Sequence, residues 1–500
     1  MTPRRWTLAA SLLAEMALLW LVTGMMRADN PVWAVAVLVL GSSAIATYGL
    51  GRSLAWRYLY PGVVAMIVFI AFPLLYTVQI GFTNYSANNL LTEERARAYL
   101  LEQAEVAMER ALPYTAHRDA GGQVRLVFSA TDGSRLATPV LGEAPSTPLP
   151  LQALAGEPGE ALDLRALIAL RETLRPLKVT GPDGTVLAYA GLREFAPFTP
   201  LWTAADGGAL RQPVTGTLYA PDRDSGFFTA PDGTRLQPGF QVNVGWGNYQ
   251  RLFGDPDMRG PFGSIFIWTV AFAGLTVLFS AAIGGTLAVV LNWEALKYRT
   301  LYRTLLFLPY AVPGFISILV FKGLFNQNFG EINAILDHLF GIKPAWFADP
   351  ALARTMILIV NTWLGYPYFL VLCTGLIKAI PSDLYEASAI AGASPWVNFR
   401  RITLPLIIRP LTPLLISAFA FNFNNFVLIS LLTDGRPDYL NTKLPAGTTD
   451  ILVSYTYRIA FTDAGANFGL AAAISTVIFA LVAVLSLLNL KLTQAQEGKR

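Results

Sequence analysis

The sequence predicts an all-α polytopic membrane protein of eight transmembrane helices with one inserted α+β domain. Three observations carry that expectation. Hydrophobic residues fill 54% of the 500 positions and charged residues only 14%. Mean hydropathy is +0.46, well away from the mixture of an average soluble domain. The apolar residues gather in eight runs, at 6–26, 32–50, 58–82, 262–291, 301–325, 351–377, 402–432 and 468–490, each near or above the ~20 residues a helix needs to cross a bilayer. Between the third and fourth runs, 86–259 turns polar and is punctuated by turn residues, so a soluble domain is inserted there, long enough to bury a core of its own. The expected organisation is therefore 1–85 as three membrane helices, 86–259 as the insert, and 260–500 as a five-helix core.

Arg4 and Arg5 precede the first run, which is long for a signal peptide and is followed by further spans, so it reads as an uncleaved first helix. Glu15 lies inside it. An intramembrane carboxylate is a functional candidate or a hydrogen-bonding strut within the bundle, and both readings stay open. Within the insert, 92–111 reads as a helix. Residues 123–130, 178–189 and the segments flanking Asp232 and Gly233 read as short strands, with Asp-Gly turns at 131–133, 182–184 and 231–233. Residues 144–159, rich in Pro, Gly and Ala, read as an exposed loop.

Orientation follows from Lys and Arg in the short loops. Arg4 and Arg5; Arg52 and Arg57; Lys297, Arg299 and Arg303; Lys378, Arg400 and Arg401; and Lys491, Lys499 and Arg500 fall on one side of an eight-span chain. That side is the cytoplasm, with both termini, and the insert faces outward together with 322–350 and 433–467. The net charge of +4 forms no basic run, which argues against a nucleic-acid partner. The single cysteine, Cys373, allows no intrachain disulfide, and it offers no metal cluster with the distant His117 and His338. No phosphate-cradling loop, dinucleotide fingerprint or nucleophile elbow is present, so no catalytic residue, cofactor or metal is assigned and the chain reads as a non-enzyme.

Residues 378–413 carry Asp383, Glu386, Arg400 and Arg401 between two apolar runs and must lie outside the hydrocarbon. After Pro381, Asp383 is placed to cap a short helix with Glu386 at its third position, and Gly392 to close it in the left-handed conformation. Capping alone would describe an ordinary connector. Yet Glu386, Ala387 and Ser388, then Gly392, then Ile402, Leu404 and Pro405 resemble the EAA signature of ABC importer membrane subunits, the binding-protein-dependent inner-membrane component family; only Ser388 departs, standing where the signature has Ala. The resemblance implies the type I permease fold. It also implies that 378–405 forms a coupling helix, with Glu386, Ala387, Ser388 and Gly392 meeting a separate ATPase.

Polar residues recur inside the runs. Asn422, Asn424 and Asn425 sit in what reads as mid-helix, Asn422 and Asn425 on one face beside Phe421. Asn361, Gly365 and Tyr368 form another stripe at spacings of four and three. Tyr310 sits between the helix-breaking Pro309 and Pro313. Amides and aromatics suit a neutral sugar, since an amide both donates to and accepts from hydroxyls. The same residues also suit helix-to-helix bonding, and the chemistry alone leaves the two even.

The runs 402–432, 445–461 and 468–474 further resemble the larger membrane subunit of maltose/maltodextrin ABC importers, strongly from about residue 245 onward and more by position and size than by wording in the insert. By that resemblance the sugar contacts are Tyr310, Asn361, Gly365, Tyr368, Phe421, Asn422 and Asn425. One family contact, a serine, is Ala418 here, with Ser417 beside it. The resemblance implies a bacterial inner-membrane location and alternating access. The implied partners are a second permease subunit, a pair of ATPase subunits holding ATP and Mg, a periplasmic maltose-binding protein, and maltose or maltodextrin. A permease for another neutral oligosaccharide or glucoside remains an alternative. So do a secondary transporter, for which only Glu15 would supply a coupling carboxylate, and a membrane-anchored sensor, which leaves the EAA-like stretch unexplained.

Overall fold

A backbone inside a bilayer must satisfy its own hydrogen bonds, and the computed structural model of the chain places helices at the apolar runs. It describes residues 3–28, 31–50, 53–119, 121–130, 133–141, 148–154, 156–293, 295–440, 442, 445–462 and 466–497. The chain divides into two units, Met1–Thr83 with Val244–Arg500, and Asn84–Asn243.

The membrane unit opens with α1 (Pro3–Arg27), α2 (Pro31–Ile45), and α3 (Leu54–Met66), which runs through a π turn at Ile67–Ala71 into α4 (Phe72–Ile80). Their polar atoms find one another. Ser42 Oγ donates to Glu15 at 2.6 Å, the Ser43 and Tyr60 hydroxyls meet at 2.7 Å, and Tyr60 donates to the Leu40 carbonyl at 2.8 Å. Glu15 is thus a strut between α1 and α2 in this structure.

In the Asn84–Asn243 unit, Thr92 Oγ1 accepts from the Arg95 amide to start α5 (Glu93–Leu101). The expected helix over 92–111 stops there. Residues Ala104–Val106 instead pair antiparallel with 198–200, and Leu112–Arg118 is a strand that buries the alternate residues Tyr114 and Ala116. A mostly antiparallel sheet follows the order Leu149–Pro150, Lys178–Thr180, Val186–Gly191, Glu194–Pro200, Leu112–Arg118, Val124–Ser129, Arg135–Ala137, Gln152–Ala153. The short helices α6 (Leu164–Ala169) and α7 (Arg171–Leu174) bring Leu167 and Leu174 to its core of Leu126, Phe128, Val179 and Phe195. A second, four-stranded sheet between Thr203 and Thr229 shares a core with α5. Gly133, Gly184 and Gly233 take φ of 82°, 80° and 86°, as the three Asp-Gly turns require. Residues 131 and 132 of the expected turn, and 144–147 and 155 of the expected loop, lie outside the described residues. This unit ends at Asn243 rather than at 259. The next helix, α8 (Gly247–Gly254), instead places Leu252 in the core built by Met258, Phe262 and Ile265 of α9 (Pro256–Leu291).

The remaining elements are α10 (Arg299–Leu306), a 3-10 turn (Leu308–Ala311), α11 (Gly314–Leu324), α12 (Glu331–Phe340), α13 (Pro350–Lys378), α14 (Ser382–Ile390), α15 (Pro395–Asn398), α16 (Leu404–Phe423), α17 (Phe426–Leu432), α18 (Leu452–Phe461) and α19 (Phe468–Glu497). Among the described residues, six helices are long and apolar enough to cross a membrane: Trp6–Arg27, Pro31–Leu50, Leu54–Ile80, Pro256–Leu291, Pro350–Lys378 and Pro395–Phe423. Length and apolarity thus single out six of the expected eight, and the other two runs hold shorter apolar helices. Run 301–325 is broken at Pro309 and Pro313 and continues as the shorter apolar helix Gly314–Leu324, while the last run lies within α19, whose apolar stretch among the described residues is Phe468–Val484.

Helices α9 and α13 cross through glycines. A Cβ on Gly284 would lie 2.6 Å from the Tyr366 carbonyl oxygen, and one on Gly365 would lie 2.7 Å from Ser280 Oγ. Small residues let backbones approach this closely inside a membrane. After α17 the chain folds into a stitched loop. Thr433 and Thr449 hydroxyls meet at 2.9 Å, Trp268 Nε1 of α9 donates to the Thr449 carbonyl at 3.3 Å, and Arg354 Nε of α13 donates to the Thr448 carbonyl at 2.8 Å.

Candidate functional site

Three asparagines within four positions offer the backbone side-chain partners that compete with helix, and the helix yields there. α16 ends at Phe423 and α17 begins at Phe426. The Phe426 amide donates to the Asn424 carbonyl at 2.8 Å, and Asn425 Oδ1 caps α17 by accepting from the Leu428 amide at 3.4 Å. The asparagines expected in mid-helix therefore occupy a break between two helices.

The break opens onto a cavity of about 700 Å³. All seven residues expected to contact a solute line it: Tyr310 from the 3-10 turn, Asn361, Gly365 and Tyr368 from α13, and Phe421, Asn422 and Asn425 from the break. Asn361 is the hub. Its Nδ2 donates to Asn422 Oδ1 at 2.7 Å and to Thr276 Oγ1 at 3.2 Å, while its Oδ1 accepts from Asn425 Nδ2 at 3.3 Å. Asn422 Nδ2 also donates to the Ala418 carbonyl at 2.8 Å. An amide nitrogen carries two hydrogens, so Asn422 and Asn425 each keep one for a further acceptor. The aromatics form the open side, with Phe421 71% exposed and Tyr310 55%. Asn424 lies elsewhere: its Nδ2 turns back to the Ala420 carbonyl at 3.3 Å, and it is absent from the cavity lining.

The EAA-like stretch is a second candidate site. Helix α14 starts at Ser382 with Pro381 in the cap position and no side-chain cap bond. The expected Asp383 cap is corrected, since Asp383 lies within the first turn. The far end closes as expected. Gly392 takes φ 72°, its amide donates to the Ala389 carbonyl at 3.0 Å, and the Ala393 amide reaches the Ser388 carbonyl at 3.1 Å, a Schellman closure. Tyr385 and Thr403 hydroxyls meet at 2.8 Å, and the Ser388 hydroxyl donates to Asn398 Oδ1, so α14 is tied to the segment that re-enters α16. Glu386, Ala387 and the 90%-exposed Ile390 face outward.

Two family models match: the maltose transport system permease protein MalF P2 domain over residues 91–245, and the binding-protein-dependent transport system inner membrane component over residues 280–495. The maltose/maltodextrin transport system permease protein MalF of Klebsiella aerogenes is 49% identical over 484 residues, covering 95% of this chain and 94% of the relative. That of Vibrio vulnificus strain YJ016 is 50% identical over 476 residues, covering 93% and 90%. The chain belongs to the MalF family. The MalF of Escherichia coli K12 is similarly close, at 48% over 484 residues. Among solved structures, a bacterial ABC transporter involved in import of the acidic polysaccharide alginate aligns over 50% of this chain and 85% of its own, at 22% identity and TM-score 0.43.

In this MalF-family chain the cavity also has a wall that sequence reasoning missed. Thr276 and Ser280 of α9 line it, four residues apart and hence on one helix face. That spacing was the available signal, hidden in a run whose overall apolarity directs attention to spanning alone.

Proposed function

We propose that the chain is the larger membrane-spanning permease subunit of an ATP-driven importer of maltose and maltodextrins, working by alternating access. In this proposal it pairs with a second permease subunit and receives sugar from a periplasmic maltose-binding protein. ATP and Mg are held by a separate pair of ATPase subunits that contact Glu386, Ala387, Ser388 and Gly392. Both termini lie in the cytoplasm of a bacterial cell and the 84–243 unit lies in the periplasm. The observation that carries the proposal is the convergence of Tyr310, Asn361, Gly365, Tyr368, Phe421, Asn422 and Asn425 on one uncharged cavity. Amide hydrogens left over from the Asn361 network can bind sugar hydroxyls, while Tyr368 and Phe421 stack on the apolar face of a ring.

Asn425→Leu should slow maltose uptake by roughly two- to tenfold, from one lost hydrogen bond of roughly 0.5–1.5 kcal/mol, with complex assembly and basal ATP hydrolysis intact. Asn424→Leu should be milder. Equal losses at the two positions, or reduced assembly in both, would sink the sugar-site proposal in favour of interhelical bonding. For the coupling site, a Cβ added at Gly392 meets no atom within 4 Å, so Gly392→Val should strain the positive-φ backbone by about 1–2 kcal/mol. The expected result is lower uptake with unchanged sugar binding to the soluble partner. Normal uptake by an assembled Gly392→Val complex would reduce α14 to a connector.

A further inference from the structure

Several hydroxyls on the long helices of this chain follow one habit. Thr269 donates to the Ile265 carbonyl at 2.7 Å, Thr412 to Ile408 at 2.7 Å, Ser417 to Pro413 at 2.9 Å and Thr476 to Ala472 at 2.8 Å. Each bonds back to the carbonyl four residues earlier, as a helical Ser or Thr does when nothing better is offered. Ser280 of α9 does not, and neither does Thr362 of α13, but only Ser280 of the two lines the cavity. It is 1% exposed, its Oγ has no hydrogen-bond partner, and it lines the sugar-site cavity. A buried hydroxyl without a partner is uncommon and calls for an explanation.

We infer that Ser280 Oγ is a sugar-binding group, through which α9 contributes a hydroxyl contact to the solute in the cavity. Its surroundings are built for that use. The hydroxyl abuts Gly365, where a Cβ would lie only 2.7 Å away, and both residues line the cavity. The α16 wall supplies no comparable donor. Position 418 is alanine, and the neighbouring Ser417 hydroxyl is spent on the Pro413 carbonyl. On the α9 wall, Thr276 Oγ1 already accepts from Asn361. Among the hydroxyls of α9 and α16 that line the cavity, Ser280 is therefore the one with no protein partner. A sugar hydroxyl, which donates and accepts at once, is a suitable complement. The inference rests on the sugar-site proposal above and adds to it a contact on a helix that had none.

The test is maltose uptake by the complete complex in proteoliposomes, comparing Ser280→Ala, Ser280→Cys and Asn425→Leu with the parent. Cysteine fills the serine's space but is a weak hydrogen-bond former, so it separates bonding from packing. Both Ser280 variants should raise KM by roughly two- to tenfold, the range for one hydrogen bond, with Vmax, assembly and binding-protein-stimulated ATP hydrolysis unchanged. Among maltoses that each lack one hydroxyl, one should be penalised in the parent but not further penalised in Ser280→Ala. The inference is overturned if Ser280→Cys matches the parent while Ser280→Ala does not, which would mark a packing role. It is also overturned if both variants match the parent while Asn425→Leu remains impaired. Normal uptake in all three would bring down the sugar-site proposal itself, and this inference with it.

Discussion

Replacing Arg458 by methionine should cost about 3–5 kcal/mol of folding stability, the range for breaking a buried ion pair from one side. The Asp450 side chain is fully buried and that of Arg458 only 9% exposed. The guanidinium donates to Asp450 Oδ2 at 2.8 Å and to Asp438 Oδ1 at 2.6 Å. Asp450 also accepts from the Gly447 amide at 2.7 Å and from Ser454 Oγ at 2.8 Å. Methionine keeps much of the packing volume and removes the charge, leaving a carboxylate in the interior without its counter-ion. The measurement is thermal unfolding of the purified complex in detergent or lipid. An unchanged transition would show that the pair contributes nothing to the loop it closes.

The pH dependence of that deficit has a definite sign. Burial pushes the Asp450 carboxyl above the ordinary carboxylate range, against the lowering influence of Arg458 and of the Ser454 and Gly447 hydrogen bonds. Without Arg458 the carboxyl moves higher still. A carboxyl raised in the folded state binds more protons there than in the unfolded chain, so it penalises folding increasingly as pH rises through its folded pKa. The Arg458→Met deficit should therefore be largest above neutral pH and shrink as the medium is acidified and Asp450 takes up a proton.

Much of the fold follows from period and length. A run such as 262–291, free of charge and of proline, has little option in a bilayer but one long helix, and Pro256–Leu291 is that helix. What stayed hidden was decided by partners distant in sequence. Nothing local ends the helical pattern of 92–111 at Leu101; the pairing of 104–106 with 198–200, almost a hundred residues later, does. Run 301–325 looked long enough to span because hydropathy averages over Pro309 and Pro313, while backbone hydrogen bonding does not.

The site was legible to the extent that helical period and amide chemistry sufficed. Asn361, Gly365 and Tyr368 share a face of α13 as their spacing requires, and they line the cavity. Asn422 and Asn425 reach it by another route than the expected continuous helix: the asparagines cap the break with their own side chains. The ion network of Asp438, Asp450 and Arg458 carries no sequence signal of comparable strength, because two loop carboxylates and a helix arginine spaced twelve and eight residues apart look solvated until the fold removes their water.

Asn361→Leu should give the deepest transport defect of any single change in the cavity, on the order of a hundredfold. The reason is connectivity. Asn425→Leu removes one contributor, whereas Asn361 orients two others, holding Asn422 at 2.7 Å and Asn425 at 3.3 Å, and anchors both to Thr276 of α9. Losing the hub forfeits its own contact and the aim of both neighbouring amides. Two hydrogen bonds to sugar at roughly 0.5–1.5 kcal/mol each, with the added cost of misdirected amides, approach 3 kcal/mol, and each 1.36 kcal/mol is about tenfold in rate. Asn361→Asp separates geometry from bonding. It keeps the shape and the acceptor for Asn425, but it can no longer donate to Asn422 Oδ1 or Thr276 and sets an anionic oxygen against the former. It should therefore be nearly as defective as leucine, although its volume is unchanged. Uptake by the assembled complex is the readout, with subunit stoichiometry as the control. If Asn361→Asp transports like the parent, the amide network does not organise the site. If both variants fail to assemble, Asn361 acts by joining α9, α13 and α16 rather than by aiming the amides at a solute.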